Sequence, residues 1–339
     1  MGDFFSFNLA EQIEKQKDKT GGRYVLLPFV YGGKFLSDAV DSAGEIENTA
    51  SAKKNPVWGM SVLSAGSMRF RWNETNENRI SFFKEISGRR LEKLSDCDNL
   101  AKTISVTKSI PLTKKLTPVP IELIHSKDVF VLETGSETNG LQGDGMITVN
   151  KDLLPVVTVA DCVPIYLFDI ETGCFGLVHS GWKGTGIIAN AIELACNKFG
   201  AKRENICIAI GPHINECCYL IDEQRAAYFT ENFGSDCIKR ITSGDSVENA
   251  GKYALSLTRA NLAVLKKCGI IDENIIICSD CTCCARLSSS GKQNISADSD
   301  DIYIYGSFRR QTAMLSSGTS LEEMQKHFTV QAAFCGYLF

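Results

Sequence analysis

An α/β (α+β) sandwich built on mixed β-sheet is the fold class that the sequence predicts, and three observations carry it. The 339 residues are 44% hydrophobic and 22% charged, which is enough apolar material for a large core. From Pro120 onward short β-type runs follow one another, separated by the Gly, Asn and Asp clusters that turns require. The helical patterns that interrupt them lack the regular strand–helix–strand alternation of a doubly wound sheet.

Taken in order, Arg23–Val30 (RYVLLPFV) and Val57–Leu63 are short apolar, β-prone runs, with polar Gly44–Asn55 between them as loop. Glu77–Leu94 places Ile80, Phe83, Ile86 and Leu91 near helical spacing and suits an amphipathic helix. Thr103–Lys115 is polar and lysine-rich, an exposed strand or loop. Strands are expected at Ile121–Ile124, Val129–Glu133, Met146–Val149, Val156–Ala160, Ile165–Asp169 and Cys174–His179. Thr185–Phe199 reads as a helix because Ile188, Ala191, Ile192, Ala195 and Phe199 fall on one face. Ile206–Ile210, Ile275–Cys278 and Asp301–Tyr305 complete the strands, and Asp222–Asn232 and Tyr253–Lys267 read as further helices. Ser288–Asp301 is loop-like, and the tail from Leu321 ends in apolar residues suited to packing back on the body.

Charge and termini narrow the function classes. A balance of 36 basic against 40 acidic side chains argues against a dedicated nucleic-acid or anionic-membrane surface. No apolar run approaches the roughly 18 residues a membrane span needs, and Met1–Thr20 has no signal-type apolar region. Fourteen cysteines in a chain long enough to build its own core therefore point to a reduced, soluble, cytoplasmic protein rather than a disulfide scaffold.

Chemistry concentrates at strand ends. The chain has four histidines; His125 ends the run IELIH, and His179 ends CFGLVH before a glycine-rich turn. Cys162 follows the apolar run VVTVA with Asp161 between. Converging, the three would make a His/Cys/His donor set with an open fourth position, the catalytic-zinc pattern. Taken alone, they also read as a buried cysteine and two hydrogen-bonded histidines, or as a Cys162–His179 thiol nucleophile, whose pKa Asp161 does not help to lower.

The turn HSGWKGTG, with Lys183, Gly184 and Thr185 before the helix, suits an anion such as phosphate. A plain helix start capped by Thr185 is its alternative. Arg309 and Arg310 in GSFRR are further candidate anion contacts. CSDCTCC (Cys278–Cys284) contains a CxxC without a second pair at zinc-ribbon spacing. Cys217 and Cys218 could join it in space as a second metal site, although buried thiols in a reduced interior account for it.

In that order the motifs resemble the bacterial YfiH/YlmD family, once labelled multicopper polyphenol oxidases or laccase-domain proteins. VTVADCVPI is similar to the family's TADCxPV, VHSGWKGT to AHAGWRGT, IGPHINECCYLI to IGPxIGxCCYEV, QGDGMIT to xADALVT and GSFRR to SYRRD. NENRISFFKEISG resembles the family's N-terminal helix more weakly. The resemblance implies one YfiH-like domain over residues 1–339, best matched over 120–310, related to the cytotoxic necrotizing factor catalytic domain. It implies a zinc site at His125, Cys162 and His179. The activity it implies is phosphorolysis of purine nucleosides (adenosine, inosine, methylthioadenosine) with adenosine deamination beside it, the partners being small nucleosides and phosphate.

Three positions depart from the family pattern. Lys183 stands for an arginine, Asn215 for a glycine, and Arg310 is followed by QTAM instead of an arginine-bearing segment. Lysine keeps the charge but loses the bidentate fork. The competing readings are a copper-dependent polyphenol oxidase, which a chain with four histidines poorly supports, and a Cys–His thiol hydrolase.

Overall fold

The computed structural model describes residues 4–36, 55–88, 116–246, 248–287, 303–316 and 318–338. Two sheets face each other. The larger has seven strands in the spatial order Phe5–Phe7, Ile275–Cys278, Ile206–Ile210, Val163–Asp169, Phe175–Ser180, Gly145–Thr148, Val129–Leu132. Its centre is antiparallel and its flanks are parallel pairs, so the sheet is mixed as expected. The second has five strands in the order Tyr24–Pro28, Val57–Ser61, Gln331–Gly336, Leu153–Val159, Thr117–Pro120.

Period-two alternation explains how every residue of Tyr24–Pro28 and Val57–Ser61 can be buried. Val25, Leu27, Trp58 and Met60 face inward onto Tyr166, Phe168 and Phe175 of the larger sheet. Tyr24, Leu26 and Val57 face outward onto Phe82, Phe83 and Ile86, carried by the helix over residues 77–88. On its far side the larger sheet packs Ile165, Leu167, Val178 and Ile208 against the helices Ile187–Phe199, Glu223–Phe233 and Leu257–Lys267. The result is a sandwich of two sheets with helices on both outer faces. Among the described residues no helix is long and apolar enough to cross a membrane.

Several expected elements shift. The strand near Ile121 lies at Thr117–Pro120 (TPVP), at the edge of its sheet, where prolines forfeit no pairing to a second neighbour. Tyr253–Lys267 is two elements, the strand Tyr253–Leu255 and the helix Leu257–Lys267, divided by Ser256, whose side chain accepts from Arg259 N as N-cap. Of Asp301–Tyr305, Tyr303 makes one isolated bridge to Arg286 and no strand. The tail does return to the body, as the inner strand Gln331–Gly336 between Val57–Ser61 and Leu153–Val159. Thr103–Lys115, Ser288–Asp301 and all but the last residue of Gly44–Asn55 lie outside the described residues, as does Glu77–Leu94 beyond residue 88.

Candidate metal centre

The sheet register brings the site together. Val163 pairs with Ser180 and Pro164 with His179 in the antiparallel centre of the larger sheet. Cys162 and Gly181 are the next positions along, so the cysteine sits beside His179 at one strand end. His125 enters from the loop before Val129–Leu132. Its ring centroid lies 4.9 Å from that of His179, and the donor atoms of His125, Cys162 and His179 all lie within 4.8 Å of one another. His179 is buried, Cys162 half-buried and His125 exposed, which leaves one side open to solvent. Glycine at 181 keeps this space clear: a Cβ there would lie a tight 3.1 Å from both Cys162 Sγ and His125 Nδ1.

One buried carboxylate positions two of the three residues. Asp144 immediately precedes the strand Gly145–Thr148. Its Oδ1 is hydrogen-bonded to His179 Nδ1 at 2.8 Å and accepts the His125 N–H at 3.0 Å. Its Oδ2 accepts the N–H and hydroxyl of Ser126 at 2.6 and 2.8 Å. Burial would raise the Asp144 carboxyl, but the hydrogen bond and charge of His179 and the Ser126 donors hold it below its ordinary value. With Asp144 ionised, His179 Nδ1 is the donor and Nε2 is left for Cys162, the carboxylate–histidine orientation of metal sites.

Backbone strain gathers here too. Among the described residues two non-glycine residues have positive φ, His125 at 60° and Asp161 at 78°, a conformation that persists only where its surroundings enforce it. For Asp161 the enforcement is visible. Its carboxylate accepts from the Thr282 hydroxyl (2.6 Å), the Ser307 hydroxyl (3.0 Å) and the Arg309 N–H (2.7 Å), and its carbonyl accepts from Ile214 N (3.0 Å). These bonds turn the carboxylate toward two other segments, those of Thr282 and of Ser307–Arg309. Burial would push the Cys162 thiol up, yet the charge of His179 and hydrogen bonds from both histidines bring it down to about 6. In return the Cys162 thiolate and Asp144, working against burial, lift His179 to about 10. As expected, Asp161 is not among the groups that lower the thiol.

The anion candidates separate. Thr185 is buried, and its hydroxyl donates to Gly181 O at 2.9 Å. The helix starts at Ile187 with Gly186 as N-cap at φ 94°, so Thr185 is neither the cap nor an open ligand. Gly184 fits closely under Ser126 O, where a Cβ would lie at 2.9 Å. Arg310 donates to the carbonyls of Thr282, Cys283 and Tyr305 at 3.0, 2.8 and 2.6 Å, a loop-bracing role in place of the expected anion contact.

Lys183 and Arg309 remain at the surface. Lys183 Nζ lies over the Trp182 ring at 5.5 Å, and Arg309 lies over Tyr219 at 5.5 Å. Arg225, which the sequence did not single out, stacks on Trp182 at 4.6 Å and hydrogen-bonds Tyr219. Burial and then the nearby Cys162 charge raise the Tyr219 hydroxyl, so it stays protonated beside the three-residue centre. His213 is buried between Gly211 O and the Thr258 hydroxyl, and exposed His327 pairs with Glu323, so both are outside the site.

The chain is similar to several known proteins. Residues 102–289 match the family model described as multi-copper polyphenol oxidoreductase laccase. The chain is 30% identical over 178 residues to the purine nucleoside phosphorylase YlmD of Geobacillus stearothermophilus, covering 48% of this chain and 62% of that one. It is 32% identical over 161 residues to the adenosine deaminase RL5 of an unknown prokaryotic organism, covering 46% and 59%. The chain thus spans about three fifths of the length of these curated relatives. The crystal structure of the Bacillus licheniformis hypothetical protein YfiH superposes with a TM-score of 0.57 at 20% identity, covering 83% of this chain and 92% of that one.

Proposed function

From a chain that belongs to the multi-copper polyphenol oxidoreductase laccase family, with the YfiH and YlmD proteins, we propose a zinc-dependent purine nucleoside phosphorylase that also deaminates adenosine. The observation that carries this reading is the convergence of His125, Cys162 and His179 with one side open. Three protein donors with a free position fit a catalytic zinc, and Asp144 supplies the outer partner that such a histidine needs. A cation held there contributes Lewis acidity toward the substrate.

The chain's own residues do the rest. In phosphorolysis a phosphate oxygen bonds to the anomeric carbon of ribose while the glycosidic C–N bond breaks, its electron pair leaving on the purine, which then takes up a proton. Lys183, Arg225 and Arg309, grouped around Trp182 and Tyr219, hold the phosphate charge near the open side. Trp182 and Tyr219 offer flat faces for a base. Gly184 and Thr185 build the turn that carries Lys183, and Arg310 braces the loop of Thr282 and Cys283. Substrates are free nucleosides and phosphate, in a reducing cytoplasmic compartment consistent with the free thiols described.

The test is incubation with adenosine and phosphate, with products separated by chromatography and metal quantified in the same sample. Phosphate-dependent release of adenine, lost in Cys162→Ala and His179→Ala, is expected; full activity in both variants would sink the reading. Stoichiometric copper with phenol oxidation would replace it by the oxidase. The placement of Cys162 beside His179 favours a second reading. The low Cys162 pKa paired with a high His179 pKa also describes a thiol nucleophile. Inactivation by iodoacetamide without metal loss, together with indifference to chelators, would select that hydrolase.

A further inference from the structure

Outside this centre the molecule gathers a second set of donors. The loop after Ile206–Ile210 carries Cys217 and Cys218, and the loop after Ile275–Cys278 carries Cys281 and Cys284. Those two strands are parallel neighbours, so their following loops emerge side by side. Bridging of His213 to Cys281, the bond from Thr282 N to His213 O and that from Asn215 Nδ2 to Ser279 O tie them together.

All four sulfurs lie within 4.8 Å of one another, with Cys217 and Cys284 at 3.7 Å. A disulfide needs about 2.05 Å. A tetrahedron with zinc–sulfur bonds of about 2.3 Å has edges of about 3.8 Å. Cys281 Sγ accepts the N–H of Asn215 at 3.3 Å and those of Cys283 and Cys284, donors that favour a thiolate. Arg310 donates to the carbonyls of Thr282 and Cys283, between the two ligands on that loop, and sets a positive charge beside an anionic cluster. Cys283 is directed toward Cys218 and Ser307 and is not one of the four.

We propose that Cys217, Cys218, Cys281 and Cys284 form a closed tetrathiolate site for one zinc-type cation. Sulfur-only donors in a tetrahedral arrangement select such soft or borderline metals, and four protein ligands leave no place for substrate. The site is structural. It clamps the loop from which Thr282 reaches Asp161, and Asp161 presents Cys162 to the catalytic centre. The proposal does not depend on the phosphorylase reading.

Elemental analysis of the intact chain, one double variant and two single variants tests it. Cys217→Ser with Cys284→Ser is expected to remove one metal equivalent per chain from whatever total the unaltered protein holds. Cys283→Ser is expected to remove none, and His179→Ala to remove only metal from the other centre. Should the double variant fail to fold, cobalt(II) loaded into His179→Ala reads the site directly. Intense thiolate-to-metal charge-transfer bands with tetrahedral d–d bands support it, and their absence overturns it. An unchanged metal count in a folded double variant, or a native disulfide among the four cysteines by non-reducing mass spectrometry, also overturns it.

Discussion

Two sulfur-bearing centres stand on neighbouring strand ends of one sheet, and they are built in opposite ways. The centre of His125, Cys162 and His179 has three donors, an oriented histidine, strained backbone at His125 and Asp161, and an exposed side. The cluster of Cys217, Cys218, Cys281 and Cys284 has four like donors and no carboxylate orienter among its ligands. An open, asymmetric donor set suits chemistry, whereas a closed, uniform one suits holding loops in place. Strain sits at the first because Asp144 holds the His125 N–H and three donors hold the Asp161 carboxylate. The difference teaches where to look for activity among fourteen cysteines: the informative thiol has histidine partners.

The largest effect expected of any single change separates the centres outright. His179→Ala removes a donor of the open centre and should weaken its metal by more than about 100-fold, beyond what loss of an outer partner costs. Purine release should fall to background while the four-thiol metal stays. Equilibrium dialysis of the metal and chromatography of the products check both, and simultaneous loss of all metal would erase the distinction. Next comes Asp144→Asn, which keeps the shape but exchanges an acceptor for an amide at His179 Nδ1 and Ser126. Metal affinity at the open centre should drop about 10–100-fold with no change at the cluster. Retention of full affinity would show that His179 orients itself.

The sequence made this contrast half visible. His125, Cys162 and His179 were legible because each ends or borders an apolar β-type run, and strand ends of one sheet meet at its rim. Asp144 was not assigned a role, although it stands between two glycines at the start of a strand. Its function depends on the register that sets Val178 opposite Gly145, which local pattern does not encode. Arg225 and Arg310 traded expectations for the same reason. Arg225 lies on an amphipathic helix whose outward face only the fold directs to Tyr219, while Arg310 has carbonyl partners contributed by a distant loop. In the fold, outer and central strands with alternating or continuous β-formers were legible. Gln331–Gly336 was not identified as a strand, because small residues buried on both faces show no period, and TPVP was passed over because proline hides an edge strand.

A smaller effect probes the bridge between the centres. Asp161 accepts three hydrogen bonds through two oxygens while buried. Asp161→Asn must set an amide donor against at least one existing donor, at a cost of about 1–3 kcal/mol. Urea denaturation should show an earlier midpoint with an unchanged slope. If the four-thiol loop supports Cys162 through this residue, metal affinity at the open centre falls as well. A shifted midpoint with unaltered affinity would make the two centres independent.

The smallest effect compares the thiols themselves in metal-stripped protein. His179 and His125 hold Cys162 near 6 against the opposing effect of burial, whereas burial and the neighbouring Cys281 charge push Cys217 up to about 12. Alkylation proceeds through the thiolate. Cys162 should therefore react with iodoacetamide at a nearly constant rate above pH 7 and slow as pH falls through 6, by about tenfold between pH 7 and pH 5. Cys217 should remain slow across that window, although it is exposed. The sign follows from the depressed pKa: the charged form is present above the folded value and is lost below it. Peptide mapping of alkylated protein gives both rates in one experiment. Equal rates for the two thiols, or a Cys162 midpoint near the free-thiol value, would mean that His179 does not carry the proton that the geometry assigns to it, and the thiolate–imidazolium description of the open centre would fall with it.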